Sequence, residues 1–357
     1  MSVLAELPAA RWWRPLADGR IECGLCPRGC KLRDGQDGFC FARGNRGGAM
    51  RLLAYGRTSG LCVDPIEKKP LAQFLPGTRV LSFGTVGCNL ACRFCQNWRI
   101  SRAYVETLEA ETVAPEQIAA TAVRLGCRSV AFTYNEPVVF AEQALTVSAA
   151  CRAVGVQPVA VTAGFICPEP RVEFFAGMAA ANVDLKGFTE EFYRRQCGGR
   201  LGAVLDTLVY LRRETRVWLE VTTLLTPGLN DSEAELNRAA DWFAANLGSD
   251  VPWHFSAFHP DYRLLDLPPT EPEVLTRARH IAQTKGLHYV YTGNVRNAEG
   301  SRTYCPRCGR GVIERDGYRL SGWHLRDGRC EFCRGAIAGV FDGYPQTKTG
   351  PSGPVRC

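Results

Sequence analysis

Three cysteines with CxxxCxxC spacing, Cys88, Cys92 and Cys95, form the stretch of this sequence best suited to chemistry. They follow a largely apolar run that predicts a β-strand, so they lie on the loop at its end. Such a loop can place three thiolates on three corners of an iron–sulfur cube. Because iron–sulfur clusters are ordinarily held by four cysteines, one iron would stay free for a ligand that is not protein.

A structural zinc site is the alternative interpretation of this loop. Structural zinc takes four closed ligands, and neither a cysteine nor a histidine near the loop in sequence provides an obvious fourth. The spacing therefore favours an iron–sulfur cluster.

Two further groups have four cysteines each. Cys23, Cys26, Cys30 and Cys40 are separated by Gly, Pro and Asp residues that favour tight turns. Their number suits zinc or a second iron–sulfur cluster, and four unligated thiols are the alternative.

The second group is the C-terminal one, in which two CxxC pairs are separated by 21 residues: Cys305, Cys308, Cys330 and Cys333. This pattern predicts a zinc-ribbon or rubredoxin-like module that binds zinc or a single iron, with residues 312–320 as a small β-ribbon. Because the module is too small to bury a core of its own, metal binding would fold it.

The bulk composition limits the function classes. Seventeen cysteines in a chain of 357 residues, eleven of them in three groups, indicate metal binding rather than disulfides. The other internal cysteines are predicted to be small buried hydrophobes, with Cys62 and Cys167 as candidates for lying near the site: Cys62, Cys127, Cys151, Cys167 and Cys197. The formal charge of +7 is scattered without a basic stripe, which argues against nucleic-acid binding. Since no membrane span or secretory signal is recognisable, we predict a cytoplasmic protein without a membrane partner.

The elements that must position the cysteine loop follow an α/β pattern. Apolar runs predict strands over 79–86, 129–134, 158–163, 181–186, 216–225, 253–258 and 288–293. Helix-like stretches lie over 115–125, 138–153, 170–180, 201–213, 232–246 and 271–285. This alternation predicts a parallel sheet in an open or closed α/β barrel, whose ligands sit at the carboxyl ends of the strands. The predicted segments are 1–78 (cysteine-rich segment and linker), 79–300 (barrel), 301–345 (metal module) and 346–357 (flexible tail).

Unusual polar residues lie at or just after the carboxyl ends of three of the predicted strands. Glu136 follows the second, Thr162 lies at the end of the third, and Asp184 and Lys186 lie at the end of the fourth. Glu136 could instead cap the following helix, and Asp184 and Lys186 could be a neutral buried pair. His254, in an apolar strand, is predicted to be structural, and His259 is a candidate for facing substrate.

CxxxCxxC with the aromatic Phe94 before its last cysteine resembles the signature of the radical S-adenosylmethionine (SAM) superfamily. The resemblance implies that SAM chelates the open iron of a 4Fe-4S cluster and is cleaved reductively to a 5′-deoxyadenosyl radical. It implies SAM contacts at Asn135 and Glu136, within a segment similar to GGEP, and at Thr162 and Gly164. The Asp184-Leu185-Lys186 segment resembles one that lies near the SAM carboxylate and a monovalent cation in glycyl-radical activating enzymes, although Val161 stands where those enzymes have an acid.

Three segments narrow the resemblance. Asp64 to Leu71 reads DPIEKKPL, residues 25–30 read LCPRGC, and residues 87–97 read GCNLACRFCQN. Together they resemble the radical SAM member of the AmmeMemoRadiSam system, related to pyruvate formate-lyase activating enzymes. This implies a partial (β/α)6-type radical SAM barrel, a flavodoxin or ferredoxin as reductant, and Memo-type and AMMECR-type partner proteins. The alternatives are an enzyme that generates a glycyl radical on a partner protein and a non-catalytic metal or nucleic-acid-binding protein.

Overall fold

The computed structural model describes residues 7–107, 111–342 and 352–355. A mostly parallel sheet dominates, with helices between its successive strands. The strands are β1 (Trp13–Pro15), β2 (Ile21–Cys23), β3 (Lys31–Leu32), β4 (Arg43–Arg46), β5 (Ala49–Leu52), β6 (Arg57–Pro65), β7 (Arg79–Gly84), β8 (Glu111–Thr112), β9 (Ser129–Phe132), β10 (Gln157–Thr162), β11 (Ala180–Asp184), β12 (Trp218–Leu225), β13 (Trp253–Ala257), β14 (Val290–Gly293), β15 (Thr303–Tyr304), β16 (Gly311–Asp316), β17 (Arg319–Trp323), β18 (Leu325–Arg326), β19 (Arg329–Cys330) and β20 (Gly353–Pro354). The α-helices are α1 (Trp98–Ser101), α2 (Pro115–Arg124), α3 (Ala141–Ala153), α4 (Pro168–Ala176), α5 (Glu190–Phe192), α6 (Leu201–Glu214), α7 (Glu233–Asn246), α8 (Pro272–Thr284) and α9 (Ala298–Ser301). Short 3-10 turns cover Ile66–Lys68, Val105–Thr107 and Pro137–Phe140, and a π-helical turn covers Tyr193–Cys197.

Within the described residues, the sheet follows chain order. β7 and β9 to β14 run parallel: β7 pairs with β9, and each later strand pairs with the one after it. β6 pairs antiparallel with β7 at the other side and carries β8 and β20. Because the parallel strands point the same way, their carboxyl ends lie together along one edge of the sheet, where α/β proteins bind ligands.

The predicted parallel α/β sheet is confirmed, and each predicted strand lies within two residues of its predicted ends. The largest boundary error is at α4, which ends at Ala176 rather than at residue 180. Met178 donates to the Phe175 carbonyl in a turn, and the Ala179 amide already bonds the Pro158 carbonyl beside β10. The finer assignment, a partial (β/α)6-type barrel, stays a prediction.

β6 corrects the prediction that the part of 1–78 beyond the N-terminal cysteines is a linker. It spans nine residues and bonds along β7. Its register shifts between Ser59 and Cys62, where Gly60 has a φ of +67°, and this irregularity breaks the alternation that would have marked a strand. Of the predicted flexible tail, residues 346–351 and 356–357 lie outside the described residues, and Gly353–Pro354 pair with β6 as β20.

Aromatic packing fixes the strand that leads into the cysteine loop. Phe83 on β7 and Phe132 on β9 are buried and meet edge to face with ring centroids 5.5 Å apart. Such a pair contributes about 1 kcal/mol beyond its buried area. Phe140 packs against both rings, so the end of β7 is held from the neighbouring strand and the turn that follows it.

Asp64 lies at the centre of a buried polar network at the end of β6. Its carboxylate accepts from Lys68 Nζ at 2.9 Å, from Lys69 Nζ at 2.7 Å and from the Tyr134 hydroxyl at 3.1 Å. Burial raises the pKa of Asp64, but Lys69 and Lys68 outweigh this effect and hold the pKa at about 2. The DPIEKKPL segment thus orients Tyr134, which lines the candidate site described below.

Asp64→Asn is expected to lower the free energy of unfolding by about 3 kcal/mol at pH 7, because it leaves the buried Lys69 ammonium without its counter-charge. Since the folded-state pKa of Asp64 lies below the ordinary value, its contribution is present above about pH 4 and is lost as the pH falls through about 2. Urea unfolding between pH 7 and pH 2 measures both. Lys68→Ala, at a side chain that is 49% exposed, is the control and should cost less than about 1 kcal/mol. A penalty for Asp64→Asn that stays constant down to pH 2 would refute this assignment.

The C-terminal segment packs against the main sheet rather than standing alone. Val312, Ile313 and Leu325 share a buried cluster with Tyr289 and Tyr291. Tyr289 directly precedes β14, and Tyr291 is part of it. Arg315 on β16 is buried and donates to the Ala72 carbonyl at 2.6 Å. The predicted β-ribbon over 312–320 is confirmed as the hairpin β16–β17.

No helix in the described part of the chain is long and apolar enough to cross a membrane.

Candidate active site at the carboxyl ends of the strands

One pocket of about 280 Å³ opens at the carboxyl edge of the parallel strands. This volume is near the lower limit for sites that bind small organic molecules. The pocket brings together nearly all of the predicted site residues: Cys88, Cys92, Phe94, Cys95, Asn135, Glu136, Thr162, Asp184 and Lys186. Residues more than ninety positions apart in the chain therefore share one cavity because the sheet aligns their strands.

The backbone of the cysteine loop is held in place mainly by hydrogen bonds to neighbouring main-chain carbonyls. The amides of Ala91 and Arg93 donate to the carbonyls of Cys197 and Gln196, each at 2.8 Å. The Asn89 side chain donates to the Phe165 carbonyl at 2.8 Å. These three contacts do not involve the sulfurs of the loop.

Asn135 positions this loop. Its carbonyl oxygen accepts from the Thr85 amide at 2.9 Å, and its amide nitrogen donates to the Gly87 carbonyl at 2.8 Å. Tyr134 has a φ of +70°, which turns the chain sharply after β9 and brings Asn135 onto the loop. The Asn135 side chain thus acts on the loop backbone, and its predicted contact with SAM stays a prediction.

Glu136 is buried, and both of its oxygens are engaged. One accepts from Val138 N at 3.1 Å and from the Thr162 hydroxyl, and the other accepts from Ala163 N at 2.7 Å. Burial raises the pKa of Glu136, and the three hydrogen bonds oppose that shift. Glu136 therefore caps the turn Pro137–Phe140, as the alternative interpretation held, and also lies in the pocket wall.

Asp184 and Lys186 also line the pocket and form a partly exposed ion pair, with Lys186 Nζ 2.8 Å from Asp184 Oδ2. Burial lowers the pKa of Lys186, but Asp184 and the Cys92 sulfur outweigh this effect, so the pKa is well above its ordinary value. The ammonium is consequently charged at neutral pH and faces the same cavity as the three cysteines. Val161 also lines the pocket, so the carboxylate ligand for a monovalent cation is missing at that position.

The three thiols fit a cluster better than a single metal ion. Burial and the nearby Glu136 carboxylate raise the pKa of Cys88, so without metal it is a neutral thiol whose proton metal binding would displace. Within the described residues, their three sulfurs do not all lie within 4.8 Å of one another, and the residues lining the pocket include no fourth cysteine. This is the donor set that a cluster with one open iron requires.

Some predicted residues lie elsewhere. Gly164 packs toward Val183 and does not line the pocket. His259 is exposed and bonds to Gln96, which does line it. His254 is buried and lies 2.6 Å from a Glu220 oxygen, which confirms a structural role.

Cys197 was not predicted as a site residue, yet it is the first cause of the raised pKa of Cys92 because their side chains interact. It is fully buried, as are Cys127 and Cys151, which confirms the prediction for these three. The spacing of the cysteines could not reveal the contact, since the π-helical turn Tyr193–Cys197 creates it.

The C-terminal cysteines form a compact tetrahedral site. All four sulfurs lie within 4.8 Å of one another, with 3.6 Å between Cys305 and Cys333 and 3.8 Å between Cys308 and Cys330. Ligands about 2.3 Å from a tetrahedral zinc lie about 3.8 Å apart, so the site has the size for one metal ion. A single iron would fit the same geometry.

Removal of this metal with a chelator is expected to unfold the C-terminal hairpin locally. Amide exchange in β16 and β17 should accelerate at least about a hundredfold, because metal binding contributes directly to folding in small modules. Exchange in β10 to β12 should be unchanged and serves as the internal control. Unaltered protection of β16 and β17 in metal-free protein would contradict a structural role for the metal.

Comparison with known proteins gives independent information. The profile of the radical SAM superfamily matches residues 83–241. A protein of Methanocaldococcus jannaschii described as uncharacterized is 39% identical over 326 residues, which cover 91% of this chain and 97% of the relative. Among solved structures, a domain of a pyruvate-formate lyase-activating enzyme from Bacteroides vulgatus is 18% identical with a TM-score of 0.41, covering 46% of this chain and 98% of that one. A radical SAM methyltransferase from Sphaerobacter thermophilus is 14% identical with a TM-score of 0.48, covering 83% and 78%.

Proposed function

Because residues 83–241 match the profile of the radical SAM superfamily, we propose that the protein cleaves SAM reductively at a 4Fe-4S cluster held by Cys88, Cys92 and Cys95. One electron, from a flavodoxin or ferredoxin, would split SAM into methionine and a 5′-deoxyadenosyl radical, which then takes a hydrogen atom from the substrate. The observation that carries this proposal is the single pocket in which three cysteines, without a fourth, face Glu136, Asp184 and Lys186.

The chain's own residues would orient SAM. The Lys186 ammonium lies in the pocket wall beside Asp184 and Cys92. Its positive charge suits the SAM carboxylate. Glu136 and Thr162, on the wall formed after β9 and β10, suit the SAM amino group. The apolar Leu90 and Phe94 complete the wall beside the cysteines and help to keep water from a reactive radical.

Lys186→Met is expected to weaken SAM binding about tenfold while leaving the iron content unchanged, since it removes a charge-assisted hydrogen bond and keeps the length of the side chain. Equilibrium binding of SAM to the clustered protein measures this. Lys285→Met is the matched control, because Lys285 also pairs with an aspartate at 2.8 Å but lies far from the pocket lining. Equal SAM affinity of the Lys186→Met protein and the wild type would show that Lys186 does not bind SAM.

We assign the protein to the AmmeMemoRadiSam type, with Memo-type and AMMECR-type proteins as partners. The support is the sequence of the 64–71 segment together with its place in the structure, where Asp64 and Lys69 orient Tyr134 beside the pocket. Activation of a glycyl-radical enzyme is the second candidate, favoured by the paired Asp184 and Lys186. Co-purification with Memo-type and AMMECR-type proteins would support the first; formation of a glycyl radical on a partner would support the second.

The experiment for the proposed activity is anaerobic reduction of the clustered protein with SAM, followed by mass spectrometry of 5′-deoxyadenosine and methionine. The wild type should release both in about equal amounts. The Cys88→Ala, Cys92→Ala, Cys95→Ala triple variant should release neither. Equal release by the two proteins would show that the reaction does not use these cysteines.

A further inference from the structure

The four N-terminal cysteines line one small cavity that is separate from the SAM pocket. Cys23, Cys26, Cys30 and Cys40 share its walls with apolar residues, among them Leu25, Leu32 and Met50. Four thiols meet in a cavity whose walls are largely apolar and offer them few hydrogen-bond partners. A metal centre is the ligand that explains why they converge.

The main chain around these cysteines is prepared for thiolates. The amides of Leu25, Arg28 and Ala42 lie close enough to the sulfurs of Cys23, Cys26 and Cys40 to favour the thiolate form of each, which opposes the rise in pKa that burial causes. In the cysteine loop of the SAM pocket, the Leu90 amide donates a hydrogen bond to the Cys88 sulfur at 3.4 Å. Hydrogen bonds of this kind stabilise negative sulfur and orient it toward a metal.

One buried donor in the cavity wall supports a sulfur-rich ligand. Arg43 is 1% exposed, and its Nε–H has no hydrogen-bond partner within the described residues, although its other nitrogens bond to Glu142 and the Arg11 carbonyl. A buried unpaired donor costs about 1 to 3 kcal/mol, and an anionic sulfur would satisfy Arg43 Nε.

The sulfur spacing separates the two metal classes. The C-terminal cysteines, which suit one ion, have all four sulfurs within 4.8 Å of one another, whereas no three of the N-terminal sulfurs do so. Cysteine sulfurs around a 4Fe-4S cube lie farther apart than those around one ion, because each binds a different iron. The N-terminal sulfurs are thus less tightly grouped than those of the C-terminal site, and they have the ligand number of a closed cluster.

We propose that Cys23, Cys26, Cys30 and Cys40 bind a second 4Fe-4S cluster, fully ligated by protein and packed directly against the loop of the first. Gly87, just before Cys88, meets the Cys40 carbonyl so closely that a Cβ there would lie 1.8 Å from the oxygen. Arg28 lies between the two groups, stacks on Phe39 and donates to the carbonyls of Asn89 and Gly198. Its guanidinium is close enough to interact with Cys26, Cys30 and Cys88.

The test is the metal content of the anaerobically purified triple variant Cys88→Ala, Cys92→Ala, Cys95→Ala. It should retain about four irons and four acid-labile sulfides per chain and give an EPR signal on reduction. Adding Cys26→Ala and Cys30→Ala should remove both, while Cys127→Ala, at a buried lone cysteine, should leave them unchanged. Iron and sulfide absent from the triple variant, with about two zinc ions per chain, would overturn the proposal.

A single Cys30→Ser exchange guards against loss of folding, because Cys30 is only half-buried. In the triple-variant background it should keep the fold by circular dichroism and shift the EPR spectrum. If the cluster is retained and its EPR spectrum is unaltered, Cys30 is not one of its ligands and the proposal is refuted. The result is independent of the proposed activity. A triple variant without a cluster, beside an active wild type, rejects only the N-terminal cluster. A triple variant with a cluster, beside an inactive wild type that contains no more iron than the variant, rejects only the cluster on Cys88, Cys92 and Cys95.

Discussion

Cys92→Ala is expected to lower SAM cleavage at least about a thousandfold, because the cofactor supplies the difficult chemistry and the protein cannot replace it. Cys92 lines the pocket between Cys88 and Cys95, on a backbone already anchored by the carbonyls of Cys197 and Gln196. Removing its sulfur leaves two cysteine ligands where a cluster needs three or four. The loss should therefore appear both as missing iron and as missing 5′-deoxyadenosine.

Cys127→Ala is the matched control for this prediction. Cys127 is 4% exposed and does not line the pocket, so the same exchange there should cost stability only through a small cavity, by about 1 kcal/mol. Product release by Cys92→Ala within tenfold of the wild type would mean that another residue holds the third iron.

Gly87→Ala is expected to lower the free energy of unfolding by at least about 3 kcal/mol and to block loading of the cluster. Gly87 has a φ of +87°, and its added Cβ would lie 1.8 Å from the Cys40 carbonyl oxygen. The left-handed backbone alone costs about 1 to 2 kcal/mol. The overlap is with backbone that cannot rotate away, so the loop must shift, and Cys88 shifts with it.

Gly126→Ala separates these two contributions. Gly126 also has a positive φ, +65°, but its Cβ would meet nothing within 4 Å. It should therefore lose only the backbone part of the free energy of unfolding, about 1 to 2 kcal/mol, and keep full iron content. Denaturant unfolding with iron analysis measures both variants, and equal penalties would show that the Cys40 contact is unimportant.

The sheet could be predicted because its signals are local. The runs that form β7, β9 and β13 are almost entirely buried and apolar, so each predicts a strand without knowledge of its neighbours. The order of the strands follows from right-handed crossovers between parallel strands. Placing Glu136, Thr162, Asp184 and Lys186 at one edge required nothing more, and the structure brings these four into one pocket.

The parts that could not be predicted depend on contacts between distant residues. β6 was hidden because its irregular pairing at Gly60 interrupts the alternation of its side chains. The role of Asn135 as a clamp on the Gly87 carbonyl comes from the positive φ of Tyr134, which sequence does not reveal for a tyrosine. Gly164 was placed at SAM by resemblance alone, and its position away from the pocket lining follows from the turn after β10.

The most direct test of the central claim is the EPR spectrum of the reduced protein before and after addition of SAM. The triple variant provides the spectrum of any cluster bound elsewhere, so the difference isolates the one held by Cys88, Cys92 and Cys95. SAM should change this difference spectrum, because an iron without a protein ligand binds it directly. A cluster on these cysteines whose spectrum is unaffected by saturating SAM would contradict the proposed function.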